Sequence, residues 1–495
     1  MASTGDSEVE KRPPSLSLET KQAQGSEDEI QATVNDKRLL RKLDLRVIPP
    51  LFVLFLLSFL DRSNIGNAKI QGMEKSLNMK GQDYAIALFV FFITYILCEV
   101  PSNLILKRMA PSTWLSFIIT GWGLITVGQG LVRTFPGLVG LRVVLGIFES
   151  GLFPGGTYLM SAYYARYELQ WRFSLFVSAI IIAGAFGGIF AFGLAKLEGV
   201  GNYEGWRWIF IIEGVITVVV GVLSKLWLVD WPEQAKFLSA EEKALLAHKL
   251  AVDAGGGGAA RMDRLDKPAI RRILRDWKIY VGIFMHLTVV TSTYSMSFFL
   301  PTVIKEMGYS SAEAQLRVIP VYLVATVVSL VAAWLTDRYR CWYLVIMITL
   351  LPGIAGFGIM LAGLRVSTAG RYLSCFLVAI TAFTSLPTVL AWVTYQQSGQ
   401  YKRAVSSAMI LGCGNVGGII GSNIWLAREA PTFKTGVSIS LAFLVLCGIA
   451  STGYYMGLRA ENQLRDRGGR DYRLTEEADE LDNMGDDHPS WRYTF

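Results

Sequence analysis

Charge is scarce over most of this chain. Charged side chains make up 18% of the 495 residues, against roughly 25% in a typical soluble protein, while 52% are hydrophobic. The deficit is uneven. Residues 1–46 hold 17 of the 87 charges, residues 230–278 hold 18 and residues 458–495 hold 16, leaving 36 for the other 362 residues. Length alone would suggest a few soluble domains, but apolar blocks of this extent exclude that and point to a chain built for a bilayer.

Other scarcities narrow the function. The five cysteines, at 98, 341, 375, 413 and 447, are odd in number and contain no CxxC pair, so neither a disulfide framework nor a thiolate metal site follows. Of three histidines, His248, His286 and His488, only His286 falls in a long apolar run. No metal centre, haem pair or other cofactor is expected. The first 30 residues lack the apolar core of a secretory signal, and the first apolar run, starting at Val47, reads as a retained spanning helix. The glycine run 255–258 is not followed by the Lys-Ser or Lys-Thr of a phosphate loop, which argues against ATP-driven pumping. "GCGNVG" at 412–417 matches a dinucleotide fingerprint in letters only, because it sits in an apolar run with no strand before it. A net charge of +7 would suit nucleic acid in a soluble protein. In a membrane chain it reads as basic loops facing anionic lipid, and no nucleic-acid partner is expected. No nucleophile, base and orienting acid share a helix face, so an enzyme is not expected either.

What is present is a count. Twelve runs of about 20 apolar residues, each enough to cross a bilayer, fall six between residues 47 and 229 and six between 277 and 457. The halves repeat. Gly184, Gly187, Gly188 and Ile189 in the fifth run recur 230 residues later as Gly414, Gly417, Gly418 and Ile419 in the eleventh, and Pro154 recurs 233 later as Pro387. The expected fold is an all-α membrane protein with 12 transmembrane helices in two six-helix pseudo-repeat bundles, the arrangement that lets two halves rock about a central site.

The domain reading follows: a disordered N-terminal tail over 1–46, a first bundle over 47–229, a linker over 230–276, a second bundle over 277–457 and a C-terminal tail over 458–495. Within the linker, residues 238–250 read as an amphipathic helix, with Ser239 and Glu242 spaced as a capping box. With both termini inside, the short cytoplasmic loops and the helix ends beside them carry 8 Lys and Arg against 12 on the external side, so short loops alone point the other way. The linker adds nine Lys and Arg, residues 37–46 add five and residues 459–473 add five, so both termini are expected to be cytoplasmic.

Charges inside the apolar runs are costly unless paired or facing a wet cavity. The first run holds Asp61 and Arg62, and the fourth holds Arg142 and Glu149. At about 1.5 Å per residue, Asp61 lies roughly 21 Å from one membrane edge and Glu149 roughly 17 Å from the other, both within the middle of a core about 30 Å thick. Arg142 and Glu149, seven apart, share a helix face, so all four groups are expected in one cavity. A carboxylate withdrawn from water favours its neutral form and a neighbouring guanidinium favours the charged one. An anionic substrate arriving at the arginine therefore frees the carboxylate to take a proton. Glu99, beside Pro101, and Glu213 are weaker candidates for gating or packing. Positions 233 residues beyond Arg142 and Glu149 are Cys375 and Ala382. The second half is thus expected to supply neutral contacts, from residues such as Tyr294, Asn415 and Asn423.

Several segments are distinctive. "LDRSNIGNAK" at 60–69, "EVPSNLILKRMAPSTW" at 99–114, "GIFESGLFPGG" at 146–156, "GWRWIFIIEG" at 205–214 and the tail "GDDHPSWRYTF" together resemble the anion:cation symporter branch of the major facilitator superfamily, and within it the fungal allantoate and nicotinate permease group. "WLTDRYR" at 334–340 resembles the superfamily's loop motif in its second copy. The resemblance spans roughly residues 40–495 and implies proton coupling at Asp61 and Glu149, anion binding at Arg62 and Arg142, and conformational roles for Glu99, Asp337 and Arg338. Asn64, Tyr294 and Asn415 are the candidate neutral substrate contacts. No equivalent of the extra His and Arg of vesicular glutamate carriers is found in the second and seventh runs, which argues against glutamate. The expected activity is proton-coupled uptake of a small organic anion such as nicotinate, pantothenate or allantoate, by a monomer in a fungal plasma membrane. An exporter of an acidic secondary metabolite and a transporter-like sensor are the competing readings.

Overall fold

The computed structural model describes residues 36–253, 267–398, 400–475 and 483–495. Among these there is no strand, and 12 helices are long and apolar enough to cross a membrane. In the first half they are α1 Asp36–Ile70, α2 Asp83–Arg108, α3 Pro111–Leu131, α4 Phe135–Tyr163, α5 Trp171–Ala195 and α6 Gly205–Trp227. In the second half they are α7 Trp277–Lys305, α8 Ser311–Thr336, α9 Trp342–Arg365, α10 Thr368–Tyr395, α11 Val405–Asn423 and α12 Lys434–Asp466. The expected fold class is therefore the observed one. Each half packs internally through pairs such as α3 with α6 and α9 with α10, and the halves meet along α5 with α8 and α2 with α11.

The repeated glycines lie at these seams. A Cβ on Gly188 would stand 2.8 Å from the Gln315 carbonyl oxygen of α8, and one on the equivalent Gly418 would stand 2.4 Å from the Phe92 ring of α2. The 230-residue repeat thus marks where each half must approach the other without a side chain. At the face away from the termini the seam is latched. Lys305 Nζ and Ser311 Oγ both donate to the Ile70 carbonyl at 2.9 Å, and Gln71 donates to Gln315 at 3.0 Å.

Two boundaries differ from the sequence reading. The first helix begins at Asp36, so residues 36–46 are helical rather than part of a disordered tail; residues 1–35 lie outside the described residues. Leu39, Leu43 and Val47 recur at helical spacing and are buried, which a search for unbroken apolar runs overlooks. The extension is tied to the linker helix Ala240–Asp253 by Lys42 to Glu242 at 2.6 Å and Lys249 to Asp36 at 2.7 Å. That helix opens on the expected capping box, with Ser239 N to Glu242 Oε2 at 2.8 Å and Glu242 N to Ser239 Oγ at 3.2 Å. The glycine run 255–258 lies outside the described residues.

The C-terminal segment is the second difference. Helix α12 continues past residue 457 to Asp466, and residues 483–495 return as a strap across the ends of α7, α9, α10, α11 and α12. Asp486, fully buried, pairs with Lys402 at 2.7 Å and Lys278 at 3.0 Å. Arg465 donates to the carbonyls of Asp486, His488 and Trp491 at 3.0–3.2 Å. The Trp342 amide donates to the Phe495 carbonyl at 3.2 Å. A tail read only from its charge density looks solvated, but its Asp, Trp and Tyr find buried partners among helix ends far away in sequence.

Candidate transport site

Helix α1 builds the site through its pitch. Residues four apart share a face and adjacent residues do not, so Ser58 and Arg62 look one way while Asp61 and Asn64 look another. Arg62 meets Glu149 of α4, with Nη2 to Oε1 at 2.5 Å and Nε to Oε1 at 3.0 Å, and Ser58 donates to the same oxygen at 2.5 Å. The second carboxylate oxygen of Glu149, Oε2, is buried without a hydrogen-bond partner among the described residues. Glu149 stands where α4 is interrupted, between the helical segments Phe135–Glu149 and Leu152–Tyr163.

The guanidinium of Arg62 also reaches across the seam. Its Nη1 donates to the Tyr294 hydroxyl of α7 at 2.5 Å, and its central carbon lies 5.0 Å from the ring centroids of Phe91 and Tyr95 and 5.4 Å from that of Phe59. Rings at this range favour a cation through their negative faces. One buried cation is therefore held by a carboxylate of its own half and a phenol of the other.

Asp61 occupies a separate cluster within the first half. Its Oδ2 accepts from Trp122 Nε1 of α3 and Thr217 Oγ1 of α6, each at 2.9 Å. Asn64, on the same face, donates to Glu213 of α6. The structure thus brings Arg62 and Glu149 together as expected, but directs Asp61 elsewhere. Counting residues gives the depth of each charge but not its direction, and the 100° rotation per residue turns Asp61 away from Arg62. Arg142 is buried on the face it shares with Glu149, with Nε and Nη2 lacking hydrogen-bond partners among the described residues.

Between the halves lies a cavity of about 50 Å³, lined from one side by Phe59, Arg62 and Tyr95 and from the other by His286, Tyr294 and Asn415. A buried water needs about 10–15 Å³ measured in this way, so the space admits a few waters and no organic acid. This conformation is closed around its centre. Of the expected neutral contacts, Tyr294 and Asn415 line the cavity, and Asn64 does not. Glu99 is buried, with Oε2 unpartnered and 3.9 Å from where a side chain on Gly412 of α11 would begin, facing the opposite half. Arg338 is exposed; the side chain of Asp337 lies outside the described residues.

Sequence reasoning missed three lining or supporting groups. His286 was weighed only as a metal ligand, yet it lines the cavity with Nδ1 unpartnered. Tyr95 gave no signal beyond a common aromatic, although its spacing of four from Phe91 places both on the face of α2 that meets Arg62. Ser58, four residues before Arg62, could have been found from the helical period alone.

A family profile, Major Facilitator Superfamily, matches residues 51–422. The chain is 36% identical over 473 residues to the MFS-type transporter cnsO of Penicillium expansum, covering 93% of this chain and 90% of that protein. It is 30% identical over 474 residues to the major facilitator-type transporter hxnP of Emericella nidulans, covering 93% and 94%. Among solved structures, a bacterial homologue of the human lysosomal transporter Spinster, in an inward-facing and occupied conformation, superposes with a TM-score of 0.61 at 17% identity, covering 83% of this chain and 96% of that one. That likeness concerns the fold.

Proposed function

The chain belongs to the major facilitator superfamily, and on that premise we propose that it is a secondary transporter coupling proton movement to uptake of a small organic anion. Membership makes it a multi-pass membrane transporter; the choice of anion and proton rests on the site. The observation that carries it is the Arg62 guanidinium, buried at the seam and shared between Glu149 of the first half and Tyr294 of the second. A substrate carboxylate entering the opened cavity competes with Glu149 for the same fork of N–H donors. Released from its partner in a dry site, Glu149 takes a proton, and charge balance then ties one proton to one anion. Closing the seam again requires Arg62 to be neutralised, by Glu149 or by substrate.

Asp61 is assigned a second proton-handling role. Its Oδ1 is buried and without a hydrogen-bond partner among the described residues, while Oδ2 is held by Trp122 and Thr217. Arg142 is assigned a supporting role in anion attraction, as a buried guanidinium with spare donors. Glu99 is assigned to gating between α2 and α11. The substrate class and the anion:cation symporter branch are supported by the sequence segments around these residues, and cytoplasmic termini by the basic residues near the membrane ends.

The test is uptake of radiolabelled nicotinate, pantothenate and allantoate into proteoliposomes holding the purified chain. Accumulation of one of them driven by an inward proton gradient and abolished by an uncoupler supports the reading. Accumulation indifferent to the gradient overturns the coupling, and movement only outward along the gradient overturns the direction.

A further inference from the structure

A second cavity, of about 560 Å³, opens at the end of the helix bundle where α1 begins and α12 ends. It lies where a nine-residue helix, Lys267–Arg275, meets the end of α12 and the C-terminal strap. That volume is within the range of about 300–1,000 Å³ usual for small-molecule sites. Eight cationic side chains line it against three carboxylates, Asp276, Glu461 and Asp487.

Some of the cations are structurally employed. Lys278 is held by Asp276 at 3.1 Å and Asp486 at 3.0 Å, Arg470 by Glu461 at 2.8 Å, and Arg465 by Glu461 and the strap carbonyls. Three are not. Lys267, Arg271 and Arg275 are exposed and form no ion pair or hydrogen bond among the described residues. The helix bearing them is pinned by buried Ala269 and Ile273, while Ile270 and Leu274 remain 42% and 48% exposed. Immediately after it, Trp277 and Tyr280 are 43% and 49% exposed at the start of α7, as aromatic residues at a membrane interface are. Exposed apolar side chains and unpaired cations lining a cavity thus share one short helix.

We propose that this cavity binds the headgroup of an anionic phospholipid bearing more than one phosphate, from the leaflet on the side of the termini. Phosphate oxygens accept paired N–H donors from guanidinium groups, and Arg271 and Arg275, one turn apart, present two such groups on one side. The acyl chains leave along Leu274, Trp277 and Tyr280. A soluble phosphate compound would use the cations but has no use for that apolar border, which is why a lipid is the occupant favoured. Because the strap supplies Asp487 and Tyr493 to the same walls, the lipid also bears on how the strap is seated.

The full chain, purified in uncharged detergent, is titrated with dioctanoyl phosphatidylinositol 4,5-bisphosphate and followed by native mass spectrometry and thermal unfolding. Saturable binding of one lipid per chain with a rise in unfolding temperature is expected, with dioctanoyl phosphatidylcholine giving neither. The double variant Arg271→Glu and Arg275→Glu should bind at least tenfold more weakly. The pair Arg108→Glu and Lys225→Glu, which makes the same charge change at exposed helix ends on the same face, should bind as the unaltered chain does. Equal weakening in both pairs, or no saturable binding, overturns the site. Inositol 1,4,5-trisphosphate binding as tightly as the lipid overturns the lipid as its occupant.

Discussion

Replacing Glu149 with Gln should separate anion binding from proton coupling. In the proposed mechanism, substrate takes over the two hydrogen bonds from the Arg62 guanidinium to Glu149 Oε1, at 2.5 and 3.0 Å. Glutamine keeps the volume and one carbonyl oxygen but loses the charge. The bonds stay charge-assisted from the guanidinium side, but the opposing charge is gone and a charged acceptor bonds roughly twice as strongly as a neutral one, so the displacement becomes easier by roughly 1–3 kcal/mol. At 1.4 kcal/mol per factor of ten, the anion should bind about 5- to 150-fold more tightly. The variant also leaves Arg62 without a buried counter-charge, a change that costs about 3–5 kcal/mol, so unfolding should be checked and bound anion should restore part of the loss. In proteoliposomes, exchange of labelled for unlabelled substrate should persist while accumulation driven by a proton gradient disappears. Gradient-driven accumulation equal to that of the unaltered chain would refute the assignment of Glu149, whatever happened to affinity.

Other expectations concern the seam and the strap. Tyr294→Phe keeps the ring, which stacks on Phe59 at 6.0 Å, but removes the acceptor for Arg62 across the halves; a loss of about 1.5–3 kcal/mol should raise the alkylation rate of a cysteine placed at Asn415 about 10- to 150-fold, and an unchanged rate would remove Tyr294 from the closed state. Gly188→Leu sets a side chain against the Gln315 carbonyl oxygen, whereas a Cβ on Gly193 of the same helix meets nothing within 4 Å. Transport should therefore fall with Gly188→Leu and survive Gly193→Leu, measured at equal expression. Asp486→Asn leaves Lys278 and Lys402 to share Asp276 alone, at 3.1 and 2.6 Å, and should cost part of the about 3–5 kcal/mol of a broken buried pair, seen as rapid hydrogen exchange over 483–495. The strap should otherwise hold over a wide pH range. Burial alone would raise the Asp486 carboxyl, but the ammonium groups of Lys278 and Lys402 hold it well below the usual carboxylate range. Burial would likewise lower Lys402, but Asp486 beside it holds it above the usual lysine value. The carboxylate contribution is then complete above about pH 4 and is lost only as pH falls through its depressed value; the lysine contribution is complete below about pH 10 and is lost as pH rises through its raised value. Protection of 483–495 should accordingly be flat between about pH 5 and pH 9, and a transition within that window would contradict the pairing.

Much of the site was legible because the bilayer makes charge conspicuous. Arg62 and Glu149 stand out in any apolar run, and their depth follows from counting residues. Their partners do not stand out. Tyr294 lies 232 residues from Arg62 and belongs to the other half, and nothing in a tyrosine within a helix announces a contact at that distance. Asp61 shows the limit of that count. Its depth matches that of Glu149, but depth does not fix the direction of a side chain, and the helix turns it toward Trp122 and Thr217.

The sequence by itself determined the class of this protein, its twelve crossings and its doubled design, since an unpaired polar backbone in lipid leaves helices as the available solution and apolar length sets their number. It also marked the glycines at which the halves approach. Only the tertiary structure decided which charges meet. Partner choice depends on helix rotation to within a fraction of a turn and on which helix lies opposite, and neither is written in a run of apolar letters. The same holds for the C-terminal strap, whose Asp486 is surface-like in composition and becomes a buried anion only because the start of α7 and the helical turn leading into α11 bring Lys278 and Lys402 to one point.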